Sequence, residues 1–317
     1  MLEVLDVSGL VTFQDAGRRG WQGFGVPVSG PMDWFAHRAA NALTGNPLDT
    51  TVIEIGLGEA VFRARRDCVV AVTGAGYEVA TYVWTFPLWT SFFVRAGLNV
   101  HVKKISGGNW AYLAIAGGFE VETILGSHST YLRGGLGDSI HAGDLLQVGK
   151  PAGEFDELAA RIFPVEKYMT YSQSPIVEVI PGPQKERFTD EGVQTFLNSE
   201  YTLSKSFDRM GYRLEGKPIT HISNAGLISE GMTMGSVQVP ANGQPIVMMA
   251  DGPTTGGYPK IANVVHADLP LLAQCEPGVS RIRFRETTVE AAQVKYRELF
   301  KGLQTGVMSD DYENLDV

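Results

Sequence analysis

A chain of 317 residues with 44% hydrophobic content can bury a sizeable core, as two compact units or one large one. Its net charge of −9 offers no attraction to nucleic acid or to an anionic membrane surface, so neither is an expected partner. Two cysteines, Cys68 and Cys275, lack CxxC spacing and support neither a disulfide framework nor a zinc site.

The acidic start Met1-Leu2-Glu3-Val4-Leu5-Asp6 lacks the charged and apolar regions of a secretory signal, and no apolar run matches a membrane helix. A cytoplasmic location is therefore expected. Leu2 to Val11 alternates as a strand and leads into Gln14 to Asp33, where five glycines (17, 20, 23, 25 and 30) prevent regular structure. Asp15, Arg18 and Arg19 charge this loop, while Trp21 and Phe24 argue against disorder and for function. Gly30-Pro31 opens a helix with Asp33 at its positive end, Phe35, Ala36, Ala39, Ala40 and Leu43 on one face, and a stop at Gly45-Asn46-Pro47. His37 lies off that stripe with no second ligand at metal spacing and reads as solvated.

From Thr51 to Gln147 short apolar runs, mostly separated by Gly or Asn, predict a barrel or sandwich. Glu54, inside one run, reads as an outward-facing position. Polar loops follow at Gly117-Gly118-Phe119 and Leu125 to Thr130. Domain limits of 1–150 and 175–286 are expected, joined by a charged, aperiodic linker at 151–174. A short helix is predicted over Asp190 to Asn198. Gly211 to Lys217 imitates a phosphate-binding loop, but Pro218 stands where a hydroxyl must hold Mg²⁺, and the match is rejected.

Asn242-Gly243, between Ser236–Val239 and a strand from Gln244, predicts a hairpin with a primed turn. Its second arm reaches Asp251, breaks at Gly252-Pro253, passes Thr254-Thr255-Gly256-Gly257-Tyr258-Pro259-Lys260 and resumes as Ile261 to Val265. Two glycines permit close backbone approach, two threonines bring hydroxyls, and Asp251 and Lys260 bring opposite charges, which suits a small polar or anionic substrate. A solvated β-connection would have the same composition. Asp268 is one acid to watch in the turns beyond. The region 287–317 reads as an amphipathic helix, Thr287 to Leu303, with Thr287 and Glu290 at capping-box spacing, followed by an acidic tail that is mobile or partner-bound.

Three stretches carry a resemblance: Gln14-Asp15-Ala16-Gly17-Arg18-Arg19-Gly20, Gly25 to Asp33 (GVPVSGPMD), and Thr254 to Lys260 (TTGGYPK). They resemble the biotin-dependent carboxyltransferase-like family, which includes allophanate hydrolase subunit 2, the C subunit of bacterial 5-oxoprolinase and an antagonist of a sporulation-kinase inhibitor. The likeness runs from Asp6 to Phe284; Gly252-Pro253 replaces a larger or polar pair, and His128 stands where an arginine is common.

The resemblance implies a mainly β fold of two cyclophilin-like β-barrel domains with a few short helices. It implies a subunit of an ATP-dependent 5-oxoprolinase that opens 5-oxo-L-proline to L-glutamate. Two alternatives stand beside it: carboxyl transfer from carboxybiotin to urea or a related amide, and non-enzymatic antagonism of a kinase inhibitor. ATP with Mg²⁺ would serve the assembled complex, and the absence of a Met-Lys-Met site means that no biotin is attached to this chain. Expected partners are a B subunit of related fold, a possible third A subunit, and a small amide or lactam substrate. Asp15 and Asp251 are the candidates for Mg²⁺ binding or general-base work, Arg18 and Lys260 for charge stabilisation. Gln14, Ser29, Asp33, Gln244, Thr254, Thr255, Gly256, Gly257 and Tyr258 are the candidates for substrate binding, and no resident metal is assigned. The 14–33 and 251–260 loops are expected to share one pocket. Because loops are exposed, Asp251→Asn and Lys260→Met are expected to spare stability.

Overall fold

The computed structural model describes residues 1–82, 84–223 and 226–309. The fold is mainly β, in two compact units: of the described residues one takes 1–16, 33–170 and 299–309, the other 17–32 and those in 171–298. Most of the glycine-rich loop thus belongs to the second unit, although the first surrounds it in sequence.

Strands of the first unit are β1 (Leu2–Val7), β2 (Leu10–Gln14), β3 (Val52–Gly56), β4 (Ala60–Ala64), β5 (Cys68–Gly74), β6 (Tyr77–Ala80), β7 (Thr85–Phe86), β8 (Thr90–Val94), β9 (Asn99–Lys104), β10 (Trp110–Ile115), β11 (Leu145–Leu146) and β12 (Arg161–Ile162). They form a sheet ordered β11-β1-β4-β9-β6-β7 and another ordered β2-β3-β10-β5-β8-β12, which Met308–Ser309 extends. Val4, Phe62 and Val102 from one sheet share a core with Ile53, Val70 and Leu113 from the other. Each such side chain contributes about 1.5–3 kcal/mol when fully buried. β4 buries alternate residues, as a strand with one covered face must, whereas β3, β5 and β10 are buried throughout. Their second face is covered by α1 (Trp34–Leu43). Asp33 caps that helix, its carboxylate accepting from the amides of Phe35 at 3.1 Å and Ala36 at 2.9 Å.

The stretch expected to be a linker is partly built into this unit. A short helix, α2 (Phe155–Leu158), precedes β12, whose Ile162 pairs with Thr90. Buried Leu158 and Phe163 anchor it, and the Phe163 ring packs on Phe35, Trp89 and Tyr168.

The second unit contains β13 (Ile176–Pro181), α3 (Asp190–Asn198), β14 (Tyr201–Asp208), β15 (Gly211–Gly216), β16 (Glu230–Gly231), β17 (Ser236–Gln238), β18 (Ile246–Met248), β19 (Thr255–Gly256), β20 (Lys260–Val264), α4 (Leu269–Ala273) and β21 (Arg281–Glu286). Seven of these strands close a barrel in the order β13-β20-β17-β18-β15-β14-β21, sealed by parallel pairing of β13 with β21. The rejected phosphate-loop imitation is β15, a strand.

β17 and β18 pair as the expected hairpin, but the turn differs. Gln238 faces Ile246, so seven residues connect the arms, turning where the Gly243 amide donates to the Pro240 carbonyl at 2.9 Å. Pro240 and Pro245 lack the N–H groups that would carry the ladder to a two-residue primed turn. The last helix, α5 (Val289–Thr305), is capped one residue later than expected: Thr288, not Thr287, accepts from the Ala291 amide at 3.2 Å. The acidic tail lies outside the described residues.

Candidate functional site

In the first unit the site residues gather around a tight hairpin. Ile124 and Ser127 exchange backbone hydrogen bonds of 2.8 and 3.2 Å across Leu125 and Gly126, whose φ angles are 53° and 81°. Such a two-residue turn needs left-handed backbone at both positions, which glycine accepts and leucine resists. It presents Ser127, His128 and Ser129 to Asp15. Asp15 Oδ1 accepts from the Ser127 hydroxyl at 2.5 Å and the Ser129 hydroxyl at 2.6 Å; Oδ2 accepts from the His128 amide at 2.7 Å. The His128 ring lies between Thr51 Oγ1, 2.6 Å from Nδ1, and Thr123 Oγ1, 2.9 Å from Nε2. Asp15 is therefore an anchor for the hairpin, with both oxygens engaged by protein donors. That setting differs from the open carboxylate that Mg²⁺ binding or proton abstraction requires.

Gln14 and Asp33 are fully buried and serve the scaffold. The Gln14 amide donates to Thr12 Oγ1 at 3.0 Å and the Thr130 carbonyl at 3.2 Å, while Asp33 caps α1. Two residues read as solvent-facing are also fully buried. Glu54 accepts from the Tyr112 hydroxyl at 2.8 Å, and that hydroxyl accepts from the Asp33 amide at 2.7 Å. Burial, and then the Glu54 charge, holds the Tyr112 phenol well above its ordinary range. His37 stands edge-on to Tyr112, and burial, helped by the Arg38 charge, lowers its pKa to about 4. The apolar stripe misled because α1 is buried nearly all round, not on one face only.

In the second unit Arg18 is buried, and its amide donates to the Val28 carbonyl at 2.8 Å. Ser29 follows in left-handed backbone, φ 59°, with its buried hydroxyl lacking a hydrogen-bond partner among the described residues. Asp251 is bound by Arg209 through two contacts, Nε to Oδ2 at 2.8 Å and Nη2 to Oδ1 at 3.1 Å. Arg209 Nη2 also donates to the Gly30 carbonyl at 2.6 Å. Lys260, buried, directs Nζ to the Gly231 carbonyl at 3.0 Å and to Glu230 Oε2 at 3.3 Å. Gln184 joins that pair, donating to Glu230 Oε2 at 2.7 Å and accepting from the Lys260 amide at 3.1 Å. The opposite charges of one loop thus answer different partners: Asp251 meets Arg209, and Lys260 meets Glu230.

The TTGG segment is strapped by residues 227–232. Gly256 pairs with Glu230 and Thr255 with Gly231, the Met232 amide donates to the Thr254 carbonyl, and the Leu227 amide to the Gly257 carbonyl, both at 2.9 Å. A Cβ at Gly256 would lie 2.4 Å from the Gln238 side-chain amide nitrogen, which would have to shift to admit it. Thr255 and Tyr258 remain exposed. Gln244 does not join them. It precedes β18, whereas Asp251 follows it, and its amide clips the Gly216 backbone, accepting at 2.9 Å and donating at 3.1 Å. Asp268 is a scaffold acid, 2.6 Å from Lys295 Nζ and accepting from the Glu178 amide at 2.8 Å.

Sequence reasoning missed Arg209, Glu230 and Gln184. Arg209 lies in Asp208 to Gly216, a stretch that also resembles the family in sequence but singles out no side chain; locally it is a turn capped by Asp208 Oδ1 on the amides of Met210 and Gly211. Glu230 and Gln184 carry no pattern at all. Among the described residues the second unit buries three cations, Arg18, Arg209 and Lys260. The Arg209 pair is tight, with both side chains below a tenth exposed, whereas Lys260 holds a half-exposed Glu230 loosely, so an anionic ligand could replace that carboxylate. Among the described residues no group of three His, Cys, Asp or Glu side chains could hold a metal ion.

Residues 24–286 match the family model described as carboxyltransferase domain, subdomain A and B. The C subunit of 5-oxoprolinase from Haemophilus influenzae is 36% identical over 296 residues, covering 92% of this chain and 93% of that protein. The protein of the same name from Escherichia coli is also 36% identical, with the same coverage. The crystal structure of the K. lactis urea amidolyase superposes with a TM-score of 0.90 at 26% identity, covering 98% of this chain but 20% of that one.

Proposed function

The chain belongs to the family of carboxyltransferase domains, subdomains A and B, and from that membership we propose that it is the C subunit of an ATP-dependent 5-oxoprolinase. One observation carries the reading: the relatives bearing that subunit name match nearly end to end, whereas the urea amidolyase uses the same fold as a fifth of its length.

The reaction converts 5-oxo-L-proline, ATP and two waters to L-glutamate, ADP and phosphate. Resonance protects the lactam, so ATP must convert its carbonyl oxygen into a leaving group, and cations must spread the charge that develops. In this chain Lys260 is the cation best placed for that work, because exchanging Glu230 for an anionic substrate group leaves the lysine paired and frees a carboxylate that water can solvate. The hydroxyls of Thr255 and Tyr258, exposed beside it on the strapped segment, supply positioning hydrogen bonds. The one phosphate-loop imitation is strand β15, which offers no loop to wrap a phosphate. Our reading therefore assigns ATP and Mg²⁺ to a companion subunit, and the working site to an assembly.

The isolated chain should turn over neither ATP nor 5-oxoproline, and activity should appear on mixing with its B and A companions. The check is glutamate and phosphate release at matched concentrations. Full activity from the lone chain would sink the reading. The urea amidolyase likeness supports a second one, carboxyl transfer, which consumption of urea and carboxybiotin by an oxoprolinase-inactive mixture would promote.

A further inference from the structure

We propose that Arg209 is a positioning residue that fixes the Ser29 hydroxyl for substrate by clamping the strained Ser29-Gly30 turn to Asp251. The catalytic part of this inference rests on the oxoprolinase reading; the clamp itself rests on geometry.

Three oxygens converge on one guanidinium. Arg209 Nε and Nη2 grip the two Asp251 oxygens at 2.8 and 3.1 Å, and Nη2 also reaches the Gly30 carbonyl at 2.6 Å. The Asp251 amide donates back to the Arg209 carbonyl at 2.8 Å, so the pair is locked through main chain and side chains alike. Arginine is suited to this because its planar fork serves several oxygens at once, which a lysine ammonium on a flexible stem does not. The guanidinium is buried, where such contacts are strongest. It thereby ties the glycine-rich loop to the segment after β18, from a position 179 residues beyond Gly30 in sequence.

What the clamp holds is an unusual serine. Ser29 occupies left-handed backbone at φ 59°, a conformation that glycine adopts without strain. Only 6% of the residue is exposed, and its hydroxyl has no hydrogen-bond partner among the described residues. A glycine would remove both the strain and the unsatisfied oxygen. One residue thus bears two costs that the fold does not require, which is where a ligand-binding role is expected. The hydroxyl fits an oxygen of the lactam substrate, its carbonyl or its carboxylate, as hydrogen-bond acceptor. Without Arg209 the Gly30 carbonyl loses its partner, the turn relaxes, and the hydroxyl leaves its position.

A double-mutant cycle tests this in the assembled complex. Wild type, Arg209→Lys, Ser29→Ala and the double variant are compared for kcat and KM toward 5-oxoproline, with a melting curve for each. We expect each single change to lower kcat/KM at least tenfold and the double variant to be little worse than the poorer single, because Arg209 acts through Ser29. Ser29→Gly should melt higher than wild type and still lose activity. Additive losses, or full activity of Ser29→Ala, would overturn the proposal. If Arg209→Lys melts below the assay temperature, the two Ser29 variants decide alone. A wild-type complex inactive on 5-oxoproline would refute the functional reading and leave the clamp to a second measurement: chymotrypsin cleavage after exposed Trp21 and Phe24 in the isolated chain. Cleavage should be several-fold faster in Arg209→Lys, and an unchanged rate overturns the clamp.

Discussion

Asp251 and Lys260 sit nine positions apart on one loop, yet their removal should have opposite consequences. Asp251→Asn breaks a buried two-point contact and deprives the Arg209 guanidinium of its carboxylate, a change that costs about 3–5 kcal/mol. Its melting temperature should fall visibly, contrary to what an exposed loop would allow. Lys260→Met keeps the apolar stem, and the half-exposed Glu230 it releases is taken up by water. Stability should fall by less than in Asp251→Asn, because the carboxylate left behind is half-exposed, while turnover collapses. Calorimetry of both variants beside the assay of the complex separates the two; equal melting would refute the assignment of partners. His37 gives a pH signature at the same scale. Its folded pKa of about 4 lies below the unfolded value, so between the two the unfolded chain binds the extra proton. Stability is full above the unfolded value near 6.5 and falls as pH drops toward 4, by at most about 3 kcal/mol. Urea unfolding across this range should show an acid limb that His37→Gln flattens, and an unflattened limb would assign it to other groups.

Elements divide by whether their cause is local. The helix after Asp33 was legible because its acidic start, apolar spacing and Gly-Asn-Pro stop all lie within its own stretch, although it begins at Trp34 and not at the expected Pro31. The hairpin was legible from its arms, but its turn was not: the Asn-Gly signal gave way to Pro240 and Pro245, which withhold ladder hydrogen bonds. The strap at 227–232 was invisible, since two-residue strands such as β16 and β19 carry no periodicity and form only against each other. Its existence explains the second half of the TTGG motif. Gly256→Ala should force the Gln238 side chain aside or lift the strap, costing about 1–3 kcal/mol as overpacking and weakening substrate binding. Hydrogen exchange at Met232 and Leu227, whose amides bond the 254–257 segment, would register the lifting; unchanged exchange would show that Gln238 had simply moved.

For the whole molecule, the sequence told the β character, while charge partners distant in sequence stayed hidden. Nothing near Asp251 announces Arg209, 42 positions earlier, nor does Asp15 announce Ser127 and Ser129, more than a hundred later. The parallel pairing that seals the second unit has its own bearing on how the protein is made. Ile176 must wait for Arg283, the first strand of the barrel for the last, so a ribosome has to release more than a hundred further residues before the ring can shut. Closing so long a loop is slow, and until then β13 and β14, the two strands that β21 joins, offer unpaired edges to any neighbouring nascent chain. The barrel is therefore born open, and its most vulnerable period is during its own synthesis.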